Sequence, residues 1–276
     1  MSQRFLTAVT GRSPGDHVCW PFHGPDEYVA TASEYVGEGL DRRELVVYFK
    51  IGPASLKHTF VSEVAQVAGL ADLRQLVLDP LAIPPGCTSA ASATAHLGRM
   101  TRTAVEKGYA GLRLLTDVND LVGGSEGRRQ WIRSEHLIDR YAVDHPVTAL
   151  CGYDVDKLGV QIVAEAARVH ALTRGALSPF LLRAADADGD LALSGEVDVM
   201  TAEDLYQAMM LIGPEIPAHI TVDLSELDFV DHGGLVALDR AARSLGVAAT
   251  LIHPSPLTAW LVDSLMLTNV KAGLSA

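Results

Sequence analysis

Two histidines and two cysteines, His17, Cys19, Cys151 and His170, are the side chains in this sequence best suited to binding chemistry. Imidazole nitrogen and thiolate sulfur are good ligands for zinc or iron. No Cys-x-x-Cys pair gathers them, however, and only the fold could bring such scattered residues together. Read from spacing alone, these cysteines are buried small hydrophobes, and no metal is assigned. Cys87, the third cysteine, lies too far from the others to suggest a disulfide framework. Asp117, Asp120 and Glu126 have the chemistry of a general acid and base but no diagnostic spacing. The sequence has no Gly-x-Gly-x-x-Gly turn. It also lacks the Gly-Lys pair on which a phosphate-binding loop depends. Gly123 to Gly127 therefore reads as a surface loop, and neither a catalytic residue nor a cofactor is expected. Near the other end, Asp231-His232-Gly233-Gly234 forms a polar turn ahead of Leu235.

The elements that must position these residues alternate between strand and helix. Leu45 to Phe49, Gln75 to Asp79, Leu112 to Asp117 and Val147 to Tyr153 are apolar runs of strand length. Helical patterns separate them: one opened by Pro53 and stopped by Gly69, one over 90–107, one over 129–141 and one ending near Leu172. Such alternation predicts a parallel sheet covered by helices, with ligands outside the C-terminal strand ends. Asp79, Asp117, Tyr153 and Asp154 fall there. An aromatic-lined cleft built from Trp20, Tyr48, Tyr153 and Trp131, with His17 as a polar contact, suits a small organic ligand.

After a Gly- and Pro-containing stretch, 173–179, the pattern restarts. Phe180 to Ala185 and Leu191 to Val197 read as a hairpin around an Asp/Gly turn. Thr201 and Asp204 resemble a capping box opening a helix with Leu205, Met209 and Ile212 on one face. His219 to Leu224 and Ala248 to Ile252 read as strands. A helix follows Gly234, and another begins at Pro256.

With 276 residues the chain has room for two domains. A net charge of −12 argues against nucleic acid as a partner. Met1 to Leu6 are not followed by a long apolar run, and no stretch is long enough to span a membrane, so a cytoplasmic location is expected.

Residues 180–276 resemble the STAS family of anti-sigma-factor antagonists. Gly195-Glu196-Val197-Asp198, Val222-Asp223-Leu224-Ser225, Leu227-Asp228-Phe229-Val230-Asp231 and Leu251-Ile252-His253-Pro254-Ser255-Pro256 carry the likeness. Residues from about 14 to 172 resemble the MEDS sensory domain. That likeness rests on His17-Val18-Cys19-Trp20, Gly37-Glu38-Gly39-Leu40, Glu44 to Tyr48, Gly111-Leu112-Arg113, Leu150 to Asp154 and His170. These resemblances imply an α/β protein: an N-terminal three-layer, mostly parallel RecA-like sheet, 1–172, and a C-terminal STAS fold with a mixed sheet, 180–276. They further imply a non-enzymatic regulator. A small-molecule sensor, with His17, Cys19, Trp20, Tyr48, Cys151, Tyr153, Asp154 and His170 as ligand contacts, would control a module that binds an anti-sigma factor or regulatory Ser/Thr kinase. In that family the turn after the Asp carries a kinase-accepting Ser or Thr. Here Asp231 keeps the Asp, but His232 and Gly233 occupy the hydroxyl positions, with Gly234 and Leu235 completing the expected partner surface. Two readings then stand: constitutive binding governed by the sensor, or His232 as a modified or titrating residue. Competing functions are an enzyme built on the N-terminal fold and a structural subunit of a larger assembly. Homo-oligomers are compatible with each.

Overall fold

The computed structural model describes residues 5–50, 54–67, 76–78, 90–185 and 189–273. Pro53, Gly69, Gln75, Asp79 and the Asp/Gly turn at 186–188 lie outside them. The chain divides into two compact units, one holding Arg4–Ala166 and Leu172–Leu177, the other Ala167–Ala171 and Ser178–Ala276.

The first unit is built on a seven-stranded sheet: β1 (Phe5–Leu6), β2 (His17–Phe22), β3 (Leu45–Lys50), β4 (Leu76–Leu78), β5 (Leu112–Asp117), β6 (Val147–Asp154) and β7 (Leu172–Arg174). In space the order is β1-β7-β2-β6-β5-β3-β4, and every pairing is parallel. Parallel sheets are buried on both faces, so their strands read as continuous apolar runs; β2 and β5 are buried at every position. Its helices are α1 (Gly24–Asp41), α2 (Ala54–Val67), α3 (Ala90–Glu106), α4 (Asn119–Val122), α5 (Ser125–Asp144), α6 (Val155–Leu158) and α7 (Val160–Ala167).

Helices cover both faces. On one, Tyr35 of α1 lies under the Arg113 guanidinium, 4.5 Å from it, and Phe60 of α2 stacks on Tyr48 at 4.6 Å. On the other, Leu97 and Ala104 of α3 and Ile138 of α5 join Val47, Leu114 and Ala149 in one core cluster. Gly152 on β6 allows a close approach between layers. A Cβ there would stand 2.4 Å from the Tyr28 ring.

Three sequence expectations need correction in this unit. The helix read from about 129 starts at Ser125, so only Gly123 and Gly124 of the glycine-rich run lie outside helix. The last helix ends at Ala167, not near Leu172. The expected linker from Thr173 begins as β7, whose Leu172 and Thr173 pair with Val18 and Cys19.

The second unit contains β8 (Phe180–Ala184), β9 (Leu191–Val197), α8 (Ala202–Ile212), β10 (His219–Asp223), β11 (Leu227–Val230), α9 (His232–Leu245), β12 (Ala248–Ile252), α10 (Pro256–Ser264) and β13 (Val270–Ala272). Its sheet is mixed: β8 and β9 form the antiparallel pair, and the other pairings are parallel. Strand β9 pairs with β10 through Leu191 and Ala192, and with β11 through Gly195, Glu196 and Val197. Gly195, at φ +83°, is irreplaceable on steric grounds, since a Cβ would fall 2.2 Å from the Pro179 carbonyl oxygen. Helices α8 and α9 pack together, burying Leu205, Met209 and Ile212 against the face that carries Leu235, Leu238 and Ala242. Thr201 is not a side-chain cap for α8. Its hydroxyl instead accepts from the Asp198 N–H at 2.9 Å, closing a local turn.

Candidate functional site

A fully buried polar cluster sits between the β2–β6 pair and α5. The parallel register sets Cys19 beside Cys151 and His17 beside Ala149. Paired residues of parallel strands share a sheet face, with alternation along each strand. His17, Cys19, Cys151 and Tyr153 therefore all face one way. Helix α5 lies against β2 and carries Trp131, Glu135 and Asp139 at four-residue intervals, hence along one stripe.

The contacts are specific. His17 Nδ1 lies 3.1 Å from Asp139 Oδ1, and its Nε2 lies 3.2 Å from Glu135 Oε2. Cys151 Sγ is 3.5 Å from His17 Nε2 and 3.4 Å from Glu135 Oε2. On the far side of the same carboxylate, Glu135 Oε1 accepts from Trp131 Nε1 at 2.6 Å and from the Tyr153 hydroxyl. His17, Glu135 and Cys151 each offer a ligand atom within one 4.8 Å group. These residues have essentially no exposed surface. Burying them costs free energy unless each is hydrogen-bonded or charge-paired, and here His17, Glu135, Asp139, Cys151, Trp131 and Tyr153 supply one another's partners.

Electrostatics follow from the geometry. Burial pushes the His17 imidazole pKa down, but contacts with Asp139, Cys151 and Glu135 outweigh it and hold it well above its usual value. Burial pushes the Cys19 thiol well up, aided by Cys151 and Glu135. Burial, with Glu135 adding to it, likewise raises the Tyr153 phenol.

The residues expected to contact a ligand separate into groups. His17, Cys19, Cys151 and Tyr153 come together, with Trp131, while His170 belongs to the other compact unit. Trp20 and Tyr48 take the opposite face of the sheet, where Trp20 lies under the Arg174 guanidinium at 4.9 Å and Tyr48 stacks on Phe60. The four aromatics thus do not line one cleft. Asp154 caps α6, accepting from the N–H groups of Asp156 and Lys157. Sequence reading missed Glu135 and Asp139. The available signal was two acids four residues apart on the stripe that also carries Trp131, beside the apolar residues Ile132, Ile138 and Ala142 of an amphipathic helix.

In the second unit Asp231 is the N-cap of α9. One carboxylate oxygen accepts from the Gly234 N–H at 3.0 Å and the other from the Val199 N–H at 3.0 Å. His232 is exposed, Leu235 is buried, and a Cβ on Gly233 would meet the Val199 Cα at 3.0 Å. Around this turn Val199, Met200, Phe229 and Val236 expose apolar surface, Met200 to 83%.

Residues 16–171 match the family described as MEDS, the methanogen/methylotroph DcmR sensory domain, and residues 180–272 match the family described as Mlab, STAS domain. No curated protein matches the chain. Both families are regulatory, and no helix among the described residues is long and apolar enough to cross a membrane. Since the first match spans more than half of the sequence and coincides with the parallel-sheet unit, the chain belongs to the MEDS family, with a STAS domain following the sensory domain.

Proposed function

We propose that this protein is a cytoplasmic signal-sensing regulator in which the MEDS domain governs a STAS module that binds an anti-sigma factor or a related Ser/Thr kinase. The observation that carries the reading is the Asp231 turn: a helix N-terminus fixed by a capping carboxylate and ringed by exposed Val199, Met200, Phe229 and Val236. Such apolar groups beside a polar rim suit a protein partner. Ser/Thr phosphorylation cannot operate at the two positions that follow Asp231. Neither His232 nor Gly233 offers an alcohol, and Val199 backbone closes the space beside Gly233. Control of the surface then falls to the sensory domain, through a shift between states of different partner affinity.

The test uses the full chain as bait in lysate from its own source, alongside Met200→Asp, with captured proteins identified by mass spectrometry. Recovery of an anti-sigma factor or Ser/Thr kinase by the native protein, reduced about tenfold or more by the new charge at the contact, supports the reading. Absence of any such protein from both captures refutes it.

A further inference from the structure

We propose that His17 Nε2, Glu135 Oε2 and Cys151 Sγ form a binding site for a divalent transition ion of the zinc class. The proposal is independent of what the STAS module binds.

The first argument is metric. Tetrahedral zinc with bonds of about 2.0–2.1 Å to nitrogen, about 2.0–2.2 Å to oxygen and about 2.3 Å to sulfur requires ligand–ligand separations of about 3.4–3.6 Å. The structure has 3.2 Å for N···O, 3.5 Å for N···S and 3.4 Å for S···O. The three atoms already form one face of such a tetrahedron.

The second argument concerns the surrounding hydrogen bonds. Metal-binding histidines usually donate their other ring N–H to a carboxylate, which fixes tautomer and orientation. Asp139 stands at His17 Nδ1 in this way. Trp131 and Tyr153 occupy Glu135 Oε1 and leave Oε2 turned toward His17 and Cys151.

Charge supplies the third argument. A divalent cation offsets the charges of one thiolate and one carboxylate, leaving the Asp139 carboxylate to accept from His17 Nδ1. On binding, Cys151 loses its thiol proton and His17 keeps only the Nδ1 proton, held by Asp139, so the ion replaces protons that leave to solvent. The competing occupant is the proton itself, with His17 as an imidazolium between Glu135 and Asp139.

The experiment is metal analysis of the full chain, expressed with added zinc and purified without a histidine tag or chelator. The variants are Cys151→Ser, Glu135→Gln and Asp139→Asn, with Cys87→Ser as control. We expect about one ion per native chain, and the same for Cys87→Ser. Occupancy should fall about tenfold or more in Cys151→Ser and Glu135→Gln. Asp139→Asn should weaken affinity about 10–100-fold. Growth with cobalt should add a thiolate-to-metal charge-transfer band that Cys151→Ser lacks. A native chain free of stoichiometric metal after both growths, or equal metal in Cys151→Ser, overturns the proposal in favour of the proton. Should the variants fail to fold, the native chain is refolded with zinc or with chelator. A higher thermal midpoint with zinc supports the site, and equal midpoints overturn it.

Discussion

The cluster around His17 and the turn at Asp231 both depend on a carboxylate, yet they use it in opposite settings. Asp139 and Glu135 engage other side chains where no water reaches. Asp231 engages the backbone N–H groups of Gly234 and Val199 at the surface. In the first setting each side chain must be what it is, because losing one leaves a buried partner unsatisfied. In the second the backbone geometry is held and the outward residues can vary. The N-terminal domain therefore stores its chemistry in side-chain identity, and the STAS domain stores its own in shape.

The largest effect that would sharpen this contrast is expected at another buried charge of the first unit. Arg113 reaches Glu44 and Glu38 and lies over Tyr35. Arg113→Ala strands the buried Glu44 carboxylate and should cost about 3–5 kcal/mol, read from urea unfolding with hydrogen exchange on β5. A loss under about 1 kcal/mol would break the claim that identity is mandatory there. Asp231→Ala should cost less, about 1–2 kcal/mol for a lost N-cap, with faster exchange of the Val199 and Gly234 amides. Unchanged exchange would mean that the turn's shape does not depend on its carboxylate.

The smallest effect concerns pH. Burial pushes the Asp239 carboxyl up, but the Asn269 N–H and the Arg243 guanidinium outweigh it and hold its pKa below the usual value. A depressed carboxyl contributes stability above its unfolded pKa, about 3.9, and loses it as pH falls through the folded value. Stability measured from pH 6 down to 2 should thus decline more for the native chain than for Asp239→Asn. Parallel declines would remove Asp239 from the acid sensitivity of the STAS domain.

Sequence reading reached the parts of the fold whose pattern is local. Strands β3, β5 and β6 are apolar runs, and the β8–β9 hairpin and the start of α9 carry turn or capping residues. It named no strand at β1, β2, β7, β11 or β13; β7 and β13 are each three residues long and set by pairing with distant strands rather than by their own composition. The site was half legible. His17, Cys19, Cys151 and His170 are rare residue types that draw notice, whereas Glu135 and Asp139 resemble the ordinary solvated acids of an amphipathic helix. Only the register of β2 on β6, beneath α5, shows that these acids point inward. Trp20 and Tyr48 were grouped with His17 because sequence proximity to strand ends does not reveal which face a side chain takes.

Cys151 and Gly152 are consecutive on β6. One faces the His17 cluster, and the other receives the Tyr28 ring from α1, whose hydroxyl is tied to the Thr116 carbonyl at 2.7 Å. One peptide unit of β6 thus carries both the thiol turned to the buried cluster and the bare surface on which the Tyr28 ring of the opposite layer rests.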